Sequence, residues 1–271
     1  MEHNDARAFW NQQSFAYAAG MDPGLGRFLQ WYEEDCWRYI EPRLPKPGAG
    51  LILEAGCGAG RWAWRLAPLG HRLVLSDLSP RMIDHARAKA RELGLEQQIV
   101  SYHVLDICEM QALPDAHFDL VLALGGPLSL CRSPQMAVRE LSRLARPGGY
   151  VLADAANRYR TALDVVQSGQ IAQLRALLQK GVFERTGGLC DCRFGPDELV
   201  ALFRDFDLRP ERLGAVCPLF PYLPSLEQAQ LLDDAETHQA LRQVSARHAE
   251  DQHIISVSGR MLIAAQRHNP E

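Results

Sequence analysis

Apolar and polar positions divide the chain into three stretches with different periods. Between residues 51 and about 156, short apolar runs alternate with longer amphipathic ones. Leu51–Glu54, Arg72–Ser76, IVSYHVLD (99–106), FDLVLALGG (118–126) and YVLADAA (150–156) read as five buried strands. The intervening segments read as helices over Arg61 to about Leu69, Pro80–Leu93 and about Pro134 to Ala145, with Gly94 closing the second. Such alternation predicts an α/β fold, a doubly wound parallel sheet joined by right-handed crossovers.

The flanking stretches differ. Residues 1 to about 45 carry aromatic stripes at helical spacing, ending in the breaker PRLPKPGAG (42–50), and are read as an N-terminal helical cap. The main domain then runs over 46–271. After Arg158, LDVVQSGQIAQLRALLQKG (163–181) has helical period only, and residues 218–250 are proline-rich and then helical. They predict cap insertions at about 158–188 and 218–250. GPDELVALFRDF (195–206) predicts a further helix, with Asp197 and Glu198 favourably placed in its first turn. DLRPERLGAVC (207–217) and HIISVSGRMLIAAQR (253–267) contain strand-like runs.

Composition narrows the function. The 271 residues carry a net charge of −4 with no long run of one sign, so neither a nucleic-acid footprint nor a polybasic membrane patch shows. No apolar run reaches the length of a membrane span, and the first residues lack the pattern of a secretion signal, so the expected location is the cytoplasm. Seven scattered cysteines fit reduced thiols, and Cys190 and Cys192 lack neighbours at zinc spacing, so no metal is expected.

The chemistry concentrates in EAGCGAG (54–60), where the first strand ends. Glycines there let the chain turn sharply and let a ligand approach the main chain. A dinucleotide fingerprint would need glycine at position 61, which is Arg61. Asp77 ends the second strand, suited to accept from a vicinal diol, although it is equally placed to cap the helix near Pro80. Asp106 ends the third strand, suited to accept from an exocyclic amine. Two acids and a glycine loop at the carboxyl ends of adjacent strands define one crevice, fitted to a nucleoside without phosphate and with a positive or zwitterionic tail.

These segments resemble class I S-adenosylmethionine-dependent methyltransferases. LILEAGCGAGR looks like their first motif, and LVLSDLSPRMIDHAR resembles their second strand with its ribose-binding acid. VLDI, FDLVLALGGPLSL and LARPGGYVLAD resemble the adenine-contacting segment and the fourth and fifth strands. The resemblance implies a Rossmann-like, mostly parallel sheet of seven strands with the last one antiparallel, here over Ser256–Gln266. It implies that Glu54, Gly56, Cys57 and Gly58 shape the methionine side, Asp77 takes the ribose, and Leu78 and Met82 pack near adenine. By the same likeness Asp106 accepts the adenine amine, Ile107 covers the ring, Leu124 and Gly125 lie beside the sulfonium, and Tyr17 closes over the cofactor. The implied activity is methyl transfer from S-adenosyl-L-methionine to an oxygen, nitrogen or carbon atom of a small molecule. An RNA methyltransferase and a non-catalytic cofactor-binding protein are the alternatives. The N/D-P-P-Y/F pattern of enzymes acting on DNA bases or protein glutamine is absent.

For the acceptor, Asn157, Tyr159, Arg160, Phe183 and Phe220 are candidate contacts, and His253 and Tyr222 candidate proton acceptors. Large aromatics in caps are more often packing than recognition, and a lone histidine is more often structural. The aromatic N-terminal helices are placed either over the cofactor or against a second subunit of a homodimer.

Overall fold

The computed structural model describes residues 6–12, 23–184, 190–218 and 234–269. Among these residues nine strands are present: β1 (Leu51–Ala55), β2 (Arg72–Asp77), β3 (Ile99–Val104), β4 (Phe118–Ala123), β5 (Ala145–Asn157), β6 (Val182–Glu184), β7 (Cys190–Phe194), β8 (Leu208–Val216) and β9 (Arg260–Arg267). β3, β2, β1, β4 and β5 lie side by side and parallel. β9 pairs antiparallel with the far edge of β5, and β8 pairs antiparallel with β9. A seven-stranded sheet in the order 3-2-1-4-5-9-8 results, with β9 as its single reversed strand.

The chain lays down β1 to β3 in one direction and crosses back to β4 on the other side of β1. That reversal opens a crevice beyond the carboxyl ends of β1 and β4. Helices cover both faces, which is why the strands read as continuous apolar runs. On one face, Ile52, Leu73, Leu75, Leu120 and Leu122 pack against α2 (Pro23–Ile40), α3 (Ala63–Leu66) and α4 (Pro80–Leu93). On the other, Leu53, Val121, Val151 and Ile263 meet α6 (Pro134–Leu144) and α9 (Pro196–Arg204). Adjacent residues of one strand, such as Ile52 and Leu53, serve opposite cores because side chains alternate along a strand.

The remaining helices are α1 (6–12), α5 (Pro127–Leu130), α7 (Arg158–Gln167), α8 (Leu174–Lys180), α10 (Ala235–His248) and α11 (Gln252–Val257). α2 is fastened into the main domain by buried polar groups. Trp31 Nε1 donates to Ser245 Oγ at 3.1 Å, Ser245 Oγ donates to Asp35 Oδ2 at 3.1 Å, and the Cys217 N–H donates to the same oxygen at 2.8 Å. Burial raises the Asp35 carboxyl to about 6 against the opposing pull of Arg38.

Three elements differ from the sequence expectation. The helix expected over Arg61–Leu69 begins only at Ala63 and tightens to a 3-10 turn over Ala67–Leu69, because the glycine turn extends to Trp62 and Pro68 has no N–H to donate. The closing strand expected at Ser256 begins at Arg260. Residues before it form α11, whose first turn Asp251 caps by accepting from the His253 N–H at 2.9 Å. The insertion after Arg158 is not wholly helical: β6 and β7 form a hairpin that extends the sheet where Ala156 and Asn157 of β5 pair with Arg193 and Phe194.

Candidate active site

The crevice is a cleft of about 710 Å³, open to solvent. Its walls include Gly56, Gly58, Asp77, Leu78, Met82, Asp106, Ile107 and Leu124. With Gly125, nine of the residues singled out from the sequence therefore share one cavity.

The glycine loop is built from β1 upward. The N–H groups of Gly56 and Cys57 both donate to the Ser76 carbonyl, at 2.8 and 2.9 Å, tying the turn to β2. Gly56 has φ +72°, and a Cβ there would lie 2.8 Å from Pro127 Cγ. Only glycine meets both demands, and the contact joins the first loop to the wall formed after β4. Glu54 and Cys57 do not line the cleft. The Glu54 carboxylate faces the start of α3, Oε1 accepting from the Trp62 N–H at 3.1 Å and Oε2 from the Ala63 N–H at 3.0 Å. Burial raises its carboxyl to about 8, against those two donors and Arg61. The Cys57 thiol is buried over the Gly58 carbonyl at 3.3 Å, and burial pushes it up.

Asp77 accepts from the Gly58 N–H at 2.8 Å through Oδ2 and from the Ser79 N–H at 2.9 Å through Oδ1. The cap of α4 is Ser79, whose hydroxyl accepts from the Met82 N–H, so Asp77 is left facing the cleft. Burial raises the Asp77 carboxyl, with the N–H groups of Ser79, Gly58 and Leu78 opposing. Asp106 is held by the Cys108 N–H at 2.8 Å and by Arg132 Nε at 3.2 Å. Met82, Leu78 and Ile107 add apolar wall to the same cleft.

The acceptor candidates lie elsewhere. Asn157 is fully buried as the cap of α7: its Oδ1 accepts from Tyr159 and Arg160, and its Nδ2 donates to the Ile255 carbonyl at 2.7 Å. Tyr159 is exposed and Arg160 pairs with Asp164 at 2.9 Å. Phe183 lies under the Arg193 guanidinium, 5.0 Å from the ring centroid. His253 is exposed at the start of α11. None of these five lines the cleft. Tyr17, Phe220 and Tyr222 lie outside the described residues.

Other residues line the site without a sequence signal that singles them out. Ala6 and Trp10 of α1 form part of the wall, and Asn11 anchors that helix by accepting from Ser79 Oγ at 2.6 Å. Leu105, Pro127, Leu130 and Cys131 complete it. Among the described residues no helix is long and apolar enough to cross a membrane, and no group of three or more potential ligands is placed to hold a metal.

Comparison with known proteins matches both the central segment of the chain and the fold. Residues 52–149 match the methyltransferase domain family. The chain is 41% identical over 115 residues to a ubiquinone biosynthesis O-methyltransferase of Methylocella silvestris, covering 42% of this chain and 43% of the relative. It is 35% identical over 108 residues to a malonyl-[acyl-carrier protein] O-methyltransferase of Erwinia pyrifoliae, covering 40% and 38%. The matched segment thus spans about two fifths of these relatives. Among solved structures, a putative methyltransferase in complex with the Trm112 methyltransferase activator of Haloferax volcanii superposes with a TM-score of 0.63 at 18% identity, covering 98% of this chain and 99% of that one. That likeness is one of fold. Residues 52–149 thus match a methyltransferase domain, within a sheet of the kind that S-adenosylmethionine-dependent methyltransferases share. S-adenosylmethionine is the cofactor of that class.

Proposed function

We propose that the protein transfers a methyl group from S-adenosyl-L-methionine to an oxygen, nitrogen or carbon atom of a small molecule. The carrying observation is that Asp77, Asp106, Gly56 and Gly58 line one cleft together with the apolar side chains of Leu78, Met82 and Ile107. Bound there, S-adenosylmethionine supplies a methyl group activated on a sulfonium. Asp77 would take the ribose hydroxyls and Asp106 the adenine amine, while Leu78, Met82 and Ile107 exclude water from the ring. Gly56 and Gly58 let the main chain approach the methionine portion. The protein's contribution to rate is orientation of donor and acceptor in the cleft.

Two features support a small acceptor. The net charge of −4 offers no sequence-independent attraction for a phosphate backbone. The names of the curated relatives above include small-molecule methylation, in ubiquinone biosynthesis. The described wall contains no histidine, lysine or arginine, so an acceptor that is already anionic, or a neutral amine, suits it without a base.

Calorimetry with S-adenosylhomocysteine tests the site. Wild-type protein binds it, and Asp77→Ala weakens binding by at least about tenfold. Equal affinity in the variant rejects the assignment. Incubation with cofactor and a cell extract, followed by mass spectrometry for a gain of one methyl group, tests the activity and identifies the acceptor.

A further inference from the structure

A fully buried carboxylate stands behind the cleft where β4 ends. Asp154 sits in the apolar run VLADAA of β5 and has no exposed surface. Its Oδ1 accepts from the N–H groups of Gly125 at 3.0 Å and Gly126 at 2.8 Å. Its Oδ2 accepts from the Tyr32 hydroxyl at 3.0 Å and from Arg260 Nη1 at 2.7 Å. The Tyr32 oxygen accepts in turn from the Gly125 N–H at 2.8 Å. Side chains of α2, β5 and β9 thus converge on two successive peptide groups.

Burying an ion pair is costly, and a short turn can be held by backbone bonds alone. The orientation of the peptides gives the arrangement a consequence. No peptide bond among the described residues is cis. In a planar trans peptide the carbonyl points opposite to the N–H. Two N–H groups aimed at Asp154 therefore aim the carbonyls of Leu124 and Gly125 away from it. Leu124 and Gly125 line the cleft, and Asp154 lies sealed behind them.

We propose that Asp154, with Tyr32 and Arg260, is a positioning device that turns the Leu124 and Gly125 carbonyl oxygens toward the cleft, so that this end of the cleft selects a cation over a neutral group. The inference rests on the cofactor reading above and deepens it. The negative ends of two fixed dipoles favour a positive centre at no reorganisation cost. A sulfonium donor would be held in preference to its neutral thioether product, which favours exchange after transfer. Burial and the neighbouring carboxylate raise the Tyr32 hydroxyl well above its ordinary range, so it remains a hydrogen donor to Asp154.

The test compares two ligands of the intact protein by calorimetry: S-adenosylhomocysteine, with a neutral sulfur, and sinefungin, with an amine cation at that place. Asp154→Asn keeps the shape and removes the charge. Its sinefungin affinity should fall about tenfold while its S-adenosylhomocysteine affinity changes by less than about threefold. Tyr32→Phe should shift the same ratio in the same direction, by about threefold, and decides the matter if Asp154→Asn does not fold. Equal weakening of both ligands, or no change in the ratio, overturns the proposal and leaves the cofactor site standing. Wild-type protein that binds neither ligand overturns the cofactor reading, and this inference with it.

Discussion

A methyl group at position 126 has no room. Gly126 has φ +95°, where a side chain costs about 1–2 kcal/mol, and a Cβ there would stand 2.7 Å from Arg260 Nη1. The guanidinium has little freedom to retreat, because it is paired with fully buried Asp154. Gly126→Ala should therefore lower the unfolding free energy by about 2–4 kcal/mol in a urea titration, combining backbone strain with a disturbed buried pair. A loss below about 1 kcal/mol would mean that Arg260 moves freely and is not locked by Asp154. At this scale Asp77 was legible as an acid at the mouth of the crevice, since it closes an apolar run at a sheet end. Asp154 was not. An acid inside an apolar run signals a buried charge, but its partners Tyr32 and Arg260 lie 122 and 106 residues away in sequence, and no local spacing joins them.

The glycine turn and α3 form a unit held by Glu54, which accepts the first free N–H groups of the helix from inside the protein. Burial dominates its ionisation and raises the folded carboxyl to about 8 from 4.5. Between those values the folded protein holds a proton that the unfolded chain has released. Stability contributed by this group is therefore complete below about 4.5 and declines as pH rises through about 8. Glu54→Gln removes the titration and keeps one acceptor for the helix start. Its melting temperature should vary less with pH over that window than that of wild type, with the two curves closest in shape at the acidic end. Parallel curves throughout would place the Glu54 proton elsewhere. The same unit shows why an element boundary escaped sequence reading. Apolar periodicity marked a helix from Arg61, whereas the turn required by the glycines and the cap supplied from β1 delay it to Ala63. Likewise the continuous pattern through residues 253–267 concealed that α11 and β9 divide it, because Asp251 caps a helix where the strand alternation had not yet begun.

Across the whole molecule, the parallel strands and the crevice were legible because buried parallel strands leave continuous apolar runs, with Asp77 and Asp106 at the carboxyl ends of two of them. The role of the N-terminal helices was not, since an aromatic stripe specifies burial without naming what it packs on. The structure brings α1 to the cofactor cleft: Ala6 and Trp10 line it, and Asn11 reaches Ser79 at 2.6 Å and, through its carbonyl, Arg81 at 3.3 Å. α2, in contrast, is part of the main core through Trp31, Asp35 and Tyr39. The two helices should therefore separate by experiment. Removing residues 1–12 takes a wall from the cleft and leaves both cores intact. Without ligand, the melting temperature should move by less than about 3 °C. The affinity for S-adenosylhomocysteine should fall about tenfold, and the rise in melting temperature produced by a fixed ligand concentration should shrink accordingly. Unaltered affinity would show that α1 rests beside the working site without closing it. A collapse of the ligand-free melting temperature would instead make α1 a structural part of the fold, as α2 is.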